Sequence, residues 1–527
     1  GDGEPDNFYE ATDGQELERS VRDAFSSILK RAASGTAASV LASGEGTGAN
    51  LIQAVFYPRK RIGNDIIGWA GVVQNLWYYV DPFFTNSSVR EDTVTDSVLS
   101  LPDDNIVSIY FDTTDQKVKA KKYNSDQDGN RGALNSTILF EDLKNLWEAG
   151  QILWQRDLTA NPRTIYTTTD GSNLYDFSVA NAGSLSTLLD VQDENNDLST
   201  TDDAVYLIRY VHGEDFLLPP DADRNGDGTD DFRSRTVSMD GVSNTWKFGD
   251  IINSTPKIVS WYPLNRYHKD YKDATYGPCD NPLANCPDPI QSDPADPDHF
   301  ITTQAYKDRD TVYIGGNDGM LHAFRLGTLK LKWPAKGSYE AAFLDSTGEV
   351  TGLGEERWAF IPKNALPYLR YQKEQDYCHL YTVDLTPTVF DASINGNPTD
   401  NKVQSATASS WKTVLIGGMR LGGASRNAGS ACTDCVKTPI NGVGYSSYFA
   451  LDVTDENDPK LLWEFTDPDL GFATTGPAVI RVGAKDTNGS WFVVLGSGPT
   501  GPISSTGYQF MGRSSQNLKL FILDLKT

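Results

Sequence analysis

Short runs rich in Val, Ile, Tyr, Phe and Trp, separated by clusters of Gly, Pro, Asn and Asp, dominate the chain from Leu51 onward. Runs of this length and composition are typical of β-strands joined by turns, so the pattern predicts an all-β fold. Two segments, 138–153 and 204–211, are the exceptions, because their apolar positions favour helices. The clearest predicted strands cover residues 50–57, 65–70, 75–80, 106–111 and 164–168.

The first fifty residues follow a different pattern. After Thr12 and Asp13, with Gln15 and Glu16 placed for capping, apolar residues recur at the spacing of one helical face until Gly35. This predicts an N-terminal amphipathic helix, followed over 32–50 by a linker or an extended crossing strand rich in Ala, Ser, Thr and Gly. The apolar positions of the predicted helix are Leu17, Val21, Phe25, Ile28 and Leu29.

An internal repeat organises the second half of the chain. Three times, a short strand led by proline is followed by an apolar strand that ends in glycine, and then by another strand. The first copy closes on Leu331 to Trp333 and the second on Leu461 to Trp463, which gives four strands per copy, as in a β-propeller blade. The first three strands of each copy cover residues 254–259, 312–315 and 320–324, then 385–390, 414–418 and 448–452, then 475–480, 493–496 and 520–524.

The three copies are not enough to close a propeller, which needs about four to eight blades. The prolines in the first strands of the copies are Pro256, Pro387 and Pro477, which lie much further apart than the roughly 40 to 50 residues of a minimal blade. Long loop insertions are therefore expected. The third copy stops at Thr527 after its third strand, so we expect degenerate blades in 51–246, a C-terminal continuation, or a second chain to complete the ring.

Charge and hydropathy exclude two classes of function. The 527 residues include 46 Lys and Arg against 71 Asp and Glu, a net charge of −25, and such a surface repels phosphate backbones, so no nucleic-acid partner is expected. The longest nearly apolar run, 66–80, is interrupted by Gln74 and Asn75 and is too short to span a bilayer. The chain opens at Gly1 without an initiator Met, which indicates a mature product or a fragment.

Five cysteines lie in loop-like sequence. Cys279 and Cys286 bracket a short Pro-rich loop, and Cys432 and Cys435 form a CxxC motif, so we favour disulfides of an exported protein over zinc. A zinc site would need further ligands, and only Cys378 with His379 offers them. The odd count leaves at least one cysteine unpaired within the chain. Val436 after the CxxC excludes covalent haem at this motif.

The sharpest chemical motif is the acidic loop DADRNGDGTDD at 221–231. Read from its second Asp, it has the D-x-N-x-D-G-x-x-D spacing of a calcium loop, with a turn-forming Gly at the sixth position. Hard oxygen ligands without His or Cys favour calcium over zinc or copper. The predicted ligands are the side chains of Asp223, Asn225, Asp227 and Asp231 and the carbonyl of Thr229. A register that starts at Asp221 is the weaker alternative, and no Glu completes an EF-hand.

No motif in the sequence indicates catalysis. Other acidic loops, at 126–130 and 190–203, lack a ligand spacing and are expected to be solvated turns. The glycine-rich segment 315–319 leads from strand to strand and is expected to be a blade turn, not a phosphate cradle. The five histidines are scattered and no nucleophile elbow accompanies them, and His322 is expected to pack within its blade. No catalytic or cofactor-binding residues are therefore predicted.

Five motifs in this order resemble the C-terminal region of the PilY family, the type IV pilus tip-associated adhesins and biogenesis factors. They are GDIINSTP at 249–256, residues 312–324, WAFIP at 358–362, TPTV at 386–389 and IGGMR at 416–420. The resemblance covers roughly residue 51 to the end. It implies a modified quinoprotein-like β-propeller, and it makes 8–29 similar to the helix that leaves the family's von Willebrand factor A-like domain. The implied domains are 1–50 (helix and linker), 51–246 (β-rich part with the calcium loop) and 247–527 (blades).

The resemblance also implies a function. The family acts at the pilus tip, the cell surface or the outer membrane, with minor pilins as partners and host or abiotic surfaces as targets, and calcium is thought to govern retraction and attachment. The expected protein is therefore an extracellular or periplasmic, calcium-binding, non-enzymatic one. The alternatives are a quinone-dependent dehydrogenase, disfavoured because no two cysteines are adjacent and the calcium loop precedes the repeats, and a non-catalytic envelope scaffold. The cysteine loops have no role in the family that can be carried over.

Overall fold

The computed structural model describes most of the chain, and the structural statements below concern those residues. They are 39–41, 48–80, 86–114, 117–195, 197–217, 221, 223–226, 228, 230–279, 286–289, 293–331, 339–345, 352–431, 435–501, 511–512, 514 and 516–526. The predicted N-terminal helix at 8–29 lies outside them. In the segment 32–50, which the sequence predicts as a linker or crossing strand, residues 39–41 and 48–50 are extended.

An eight-stranded sheet begins the described part of the chain. Its order is β1-β2-β3-β4-β6-β7-β8, with β9 paired to β3. The strands predicted at 65–70 and 75–80 are one strand, β3, because β2 and β3 pair continuously along a hairpin that turns at Gly63, where φ is +58°. The strands of this part are β1 Ser39–Leu41, β2 Gly48–Ile62, β3 Asp65–Tyr79, β4 Ser88–Arg90, β5 Val98–Ser100, β6 Ile106–Asp112, β7 Lys117–Ser125, β8 Arg131–Leu139 and β9 Trp147–Glu148.

Short helices and strands connect this sheet to the repeats. The helix predicted over 138–153 is wrong in its first half, because β8 runs to Leu139 and the helix starts only at Ala149. The start is fixed by the Glu148 carboxylate, which accepts hydrogen bonds from the N–H groups of Gly150 and Gln151. The helix predicted over 204–211 is confirmed. The elements are 3₁₀ Phe140–Asp142, α1 Ala149–Gln155, β10 Ile165–Thr167, β11 Tyr175–Asp176, 3₁₀ Val179–Asn181, α2 Ala182–Leu189, α3 Thr201–His212, β12 Thr236–Met239 and β13 Val242–Thr245.

The strands of the predicted repeat form antiparallel groups in three sheets, called here units 1, 2 and 3. Unit 1 contains β14 Lys257–Ser260, β15 Asp310–Gly315, β16 Leu321–Arg325 and β19 Glu356–Ile361; unit 2 contains β20 Thr388–Ala392, β21 Lys412–Gly418, β22 Tyr448–Asp452 and β23 Lys460–Phe465; unit 3 contains β24 Ala478–Val482, β25 Ser490–Gly496 and β26 Leu520–Asp524. The sheet of unit 1 has two further strands, because β10 pairs with β19 in parallel and β11 pairs with β10. The remaining elements are α4 Tyr267–Asp270, 3₁₀ Phe300–Thr302, α5 Gln304–Lys307, β17 Thr328–Leu331, β18 Glu340–Asp345 and 3₁₀ Lys363–Lys373.

The closing strand of the first copy is the one error in the predicted repeat. The sequence predicts Leu331 to Trp333, but β16 pairs with β19 instead, and Trp358 and Phe360 of β19 lie in the core. Leu331 ends β17, which pairs with β18 in a separate sheet that also includes β5. The four strands predicted for unit 2 and the three for unit 3 are confirmed.

The sheets pack face to face in chain order. Ile52 and Val73 of the first sheet share a core with Val312 and Phe324 of unit 1. The other face of unit 1 packs on unit 2, and the other face of unit 2 packs on unit 3. The described part of the chain is thus a β-rich stack of open sheets, which confirms the all-β class, while a closed propeller stays a prediction. The unit 1–unit 2 core includes Val259, Tyr313, Phe360, Leu415, Phe449 and Leu451.

The structure also describes one predicted disulfide and the lengths of the helices. Cys279 and Cys286 form the predicted disulfide. Cys432 lies outside the described residues, so the pairing of the CxxC motif stays a prediction. None of the helices in the described ranges is long and apolar enough to cross a membrane.

Candidate calcium loop

Helix α3 provides the support for the acidic loop that follows it. Its apolar face, which includes Leu207, Ile208 and Val211, is buried against α2 and the 3₁₀ helix at Lys363–Lys373. The helix ends at Gly213, whose φ of +117° is a left-handed conformation that glycine adopts without a steric penalty. Asp202, Asp203 and Tyr206 of α3 contact the loop.

Arg224 attaches the loop to the start of α3. Its guanidinium forms ion pairs with Asp202 and Asp203, lies 3.7 Å from the Glu194 carboxylate, and stacks 4.1 Å above the Tyr206 ring. Burial alone would lower the pKa of Arg224, but Asp203 and Asp202 raise it, so the side chain stays charged. The sequence predicts solvated turns over 190–203, yet three acids there hold Arg224. No sequence signal pairs them, because the contact depends on how the loop folds back.

Hydrogen bonds within the loop bring its two ends together. Both Asp223 carboxylate oxygens accept backbone N–H groups, from Gly226 at 2.8 Å and Gly228 at 2.9 Å. The Asp231 carboxylate accepts the Arg224 N–H at 2.7 Å and the Asn225 side-chain amide at 3.0 Å. Gly226 and Gly228 have φ of +73° and +87°, so the turn needs residues that tolerate the left-handed region.

The structure therefore brings together three of the five predicted ligands. Asn225 contacts Asp231 directly, and Asp223 caps the turn between them. Asp227 and Thr229 lie outside the described residues, and within the described part no three His, Cys, Asp or Glu side chains are grouped to hold a metal. The candidate ligand atoms that the structure describes are oxygens on a tight turn, and oxygen is the ligand atom that a hard cation such as calcium prefers.

Residues on both sides hold the loop in place. The Tyr206 hydroxyl donates to the Asp221 carboxylate at 2.6 Å, and this hydrogen bond raises the pKa of Tyr206. This hydrogen bond ties the start of the loop to α3. After the loop, Phe232 packs in an aromatic cluster with Tyr210 and Phe216. The backbone oxygens of Asp230, Asp231 and Phe232 accept hydrogen bonds from Gln375 and Lys373.

A buried ionic cluster, which the sequence does not predict, lies at the glycine-rich turn of unit 1. His322 is buried as expected, but it also contacts Glu356 at 2.8 Å and Asp318 at 3.1 Å, and Arg163 contacts Glu356 at 2.7 Å. Burial alone would lower the pKa of His322, but Asp318 and Glu356 raise it to about 9. No local sequence pattern indicates the cluster, because Arg163 and Glu356 are distant from the turn along the chain. The turn connects β15 to β16, as predicted for 315–319.

The stacked sheet repeats and the oxygen-rich loop define a class: a β-sheet repeat protein with a candidate calcium site. No family model matches the chain. Similar proteins of known name are type IV pilus biogenesis factors. The chain is 30% identical over 315 residues to the type IV pilus biogenesis factor PilY1 of Pseudomonas aeruginosa UCBPP-PA14, covering 58% of this chain and 19% of that protein. It is 29% identical over 219 residues to a PilY1 homolog of Xylella fastidiosa Temecula1, covering 41% of this chain and 12% of the homolog.

These relatives confirm the resemblance to the PilY family. The match spans less than a fifth of the length of each of these relatives. Among solved structures, the chain is similar to the Pseudomonas aeruginosa PilY1 C-terminal domain at 28% identity, covering 41% of this chain and 28% of that one, with a TM-score of 0.22.

Proposed function

We propose that the protein is a calcium-binding, non-enzymatic component of the type IV pilus tip that acts in pilus biogenesis, retraction control and surface adhesion. The names of the relatives, which are pilus biogenesis factors, support the pilus role. We further propose a place at the cell surface or in the outer envelope, with minor pilins as partners. Nothing in the described residues favours the dehydrogenase alternative over this role.

The fold of the acidic loop carries the calcium part of this proposal. The loop is held to α3 by Arg224 and to the segment after the long 3₁₀ helix by Gln375 and Lys373. A cation bound between Asp223, Asn225 and Asp231 would replace hydrogen bonds that now join them and tighten the same turn. Because the loop lies outside the sheet repeats, calcium would act there as a regulator of local shape and would not hold the repeats together.

The proposed function can be tested in the source bacterium. Deleting the gene is expected to reduce surface piliation and attachment several-fold, measured as sheared pilin and adherent cells. A chromosomal copy with Asp231→Ala should restore protein level but not the calcium dependence of retraction. A copy with Asp126→Ala, in an acidic turn without ligand spacing, should restore both. Unchanged piliation and attachment in the deletion strain would contradict the pilus role.

The outer face of unit 3 supports the proposal of a further partner. Ile480, Leu520 and Ile522 on this face are 47%, 68% and 66% exposed, and the described residues place no element over them. The corresponding faces of units 1 and 2 are each covered by the next sheet. We propose that a C-terminal continuation or a second polypeptide, such as a minor pilin, covers this face and the edge strand β26.

Exposure of this face predicts self-association of the 527-residue chain. Sedimentation velocity should show oligomers that grow with concentration, because exposed apolar side chains lie beside β26, which no further strand of the described residues pairs on its outer edge. The double variant Leu520→Asp, Ile522→Asp should remain monomeric. The control is Leu198→Asp, which replaces an isolated side chain that is 95% exposed and should not change the oligomers. A monomeric wild-type chain at high concentration would contradict the prediction.

A further inference from the structure

A small cavity of about 40 Å³ lies where β3 meets the glycine-rich turn of unit 1. Its walls come from β3, from the segments that flank the β12–β13 hairpin, from the turn before β16 and from the end of the long 3₁₀ helix. The cavity does not include the acidic loop, although its lining residue Arg233 follows Asp231 by two positions. The lining residues that matter below are Trp69, Arg233, Lys247, Asp250, Asp318 and Tyr377.

Arg233 lines this cavity without an acidic partner among the residues that the structure describes. Its guanidinium lies 4.6 Å from the centre of the Tyr377 ring. Its Nε atom is buried, and no described residue accepts a hydrogen bond from it. Gly68 leaves room beside it, since a Cβ there would lie 3.7 Å from the Arg233 Nη1 atom. A buried guanidinium nitrogen without an acceptor is costly, so the site is incomplete without a hydrogen-bond acceptor.

The other charges around the cavity leave it net positive. Arg235 also lines the cavity, and it lies 3.7 Å from the Asp215 carboxylate. Lys247 donates to the backbone oxygens of Trp154 and Thr245 and pairs with no carboxylate within 4 Å among the described residues. The two acids of the cavity wall are already engaged, Asp250 by His379 at 2.9 Å and Asp318 by His322 at 3.1 Å. Burial and then neighbouring arginines lower the pKa of Lys247 to about 8, which agrees with a positive potential at this place. A positive cavity is unexpected in a chain of net charge −25.

One wall of the cavity is held in an unusual conformation. Trp69 has φ of +57°, a left-handed backbone that costs a bulky residue about 1 to 3 kcal/mol. Its ring lies 4.2 Å from the ring of His379, which in turn binds Asp250. Bulky residues in this conformation concentrate at ligand sites, where the surroundings enforce them. The strain at Trp69 is therefore a second observation, independent of the charges, that indicates a binding site.

We propose that this cavity binds a small carboxylate through Arg233. A guanidinium presents its donors in a planar fork that matches the two oxygens of a carboxylate, and Lys247 adds positive charge. By the volume that one water needs, the cavity holds about three water molecules, which suits a group of the size of acetate better than a sugar or a nucleotide. The aromatic rings of Trp69 and Tyr377 provide an apolar wall for the carbon end of such a ligand. The proposal does not depend on the pilus role or on calcium.

Calorimetric titration with sodium acetate at constant ionic strength tests the proposal on the full chain. The wild type should bind acetate with a millimolar dissociation constant, and Arg233→Gln should bind at least tenfold more weakly. Arg233→Lys, which keeps the charge but loses the fork, should also bind more weakly than the wild type. Arg61→Gln, at an exposed position of β2, is the matched control and should bind like the wild type.

Folding of each variant is checked by circular dichroism, and the lysine variant decides the matter if the glutamine variant does not fold. Equal acetate affinity in the wild type and in a folded Arg233 variant would overturn the proposal, as would the absence of binding to the wild type. A parallel titration with inorganic phosphate separates the ligand classes. Phosphate binding that exceeds acetate binding and depends on Arg233 would overturn the assignment of a carboxylate.

Discussion

Calcium affinity is expected to fall by orders of magnitude when Asp231 is replaced by alanine. Asp231 is the ninth residue of the loop, and its carboxylate would supply a charged oxygen ligand while it also accepts hydrogen bonds from Arg224 and Asn225. Asp227→Ala is expected to act in the same way from the fifth position. Calorimetric titration with calcium chloride, after removal of bound metal with a chelator, measures the change.

The control for this experiment is Asp126→Ala. Asp126 also accepts three hydrogen bonds in an acidic turn, from Asp128 and twice from Asn130, but the turn lacks the ligand spacing. It should leave calcium affinity unchanged. The free energy of unfolding without calcium should be similar in all variants, because the loop lies outside the sheet repeats. Equal calcium affinity in the wild type and both loop variants would show that the loop is only a hydrogen-bonded turn.

Strand pattern and turn residues were sufficient to predict most of the repeat. The Gly-ended strands at Gly315 and Gly418 and the strands that follow them pair as expected, because alternation and local turn chemistry determine hairpins. The fourth strand of unit 1 was not predictable in this way. A long insertion separates β16 from β19, and the apolar run at Leu331 has the same local character as a true closing strand. Only tertiary packing of Trp358 distinguishes the two.

The sequence selects candidate ligands for the site, but it does not indicate the contacts that support the loop. Spacing alone selects Asp223, Asn225 and Asp231, because alternate residues of a tight turn converge. The attachment of Arg224 to acids of α3, and of the loop to Gln375, joins residues distant along the chain. The same limit applies to the Arg233 cavity. Its walls come from five separate segments, and no short motif contains them.

Breaking the buried ionic cluster at Glu356 should cause the largest loss of stability. Glu356 is 1% exposed and bridges Arg163 at 2.7 Å and His322 at 2.8 Å. Burial alone would raise its pKa, but Arg163 and His322 hold it well below the usual range, so it is charged in the folded protein. Glu356→Gln removes the negative charge that pairs with the buried Arg163 and His322 side chains. Breaking such a buried ion pair lowers the free energy of unfolding by about 3 to 5 kcal/mol. Urea unfolding at pH 6 measures the loss.

The same cluster gives the stability a defined pH dependence. The folded pKa of His322, about 9, lies above its unfolded value of about 6.5. Its contribution is therefore fully present below about pH 6.5 and is lost as the pH rises through about 9. The stability difference between wild type and Glu356→Gln should thus shrink between pH 6 and pH 9.5. Glu355→Gln, the neighbouring and less buried position, should differ little from wild type at either pH. A difference that stays constant with pH would show that His322 is neutral in the folded protein.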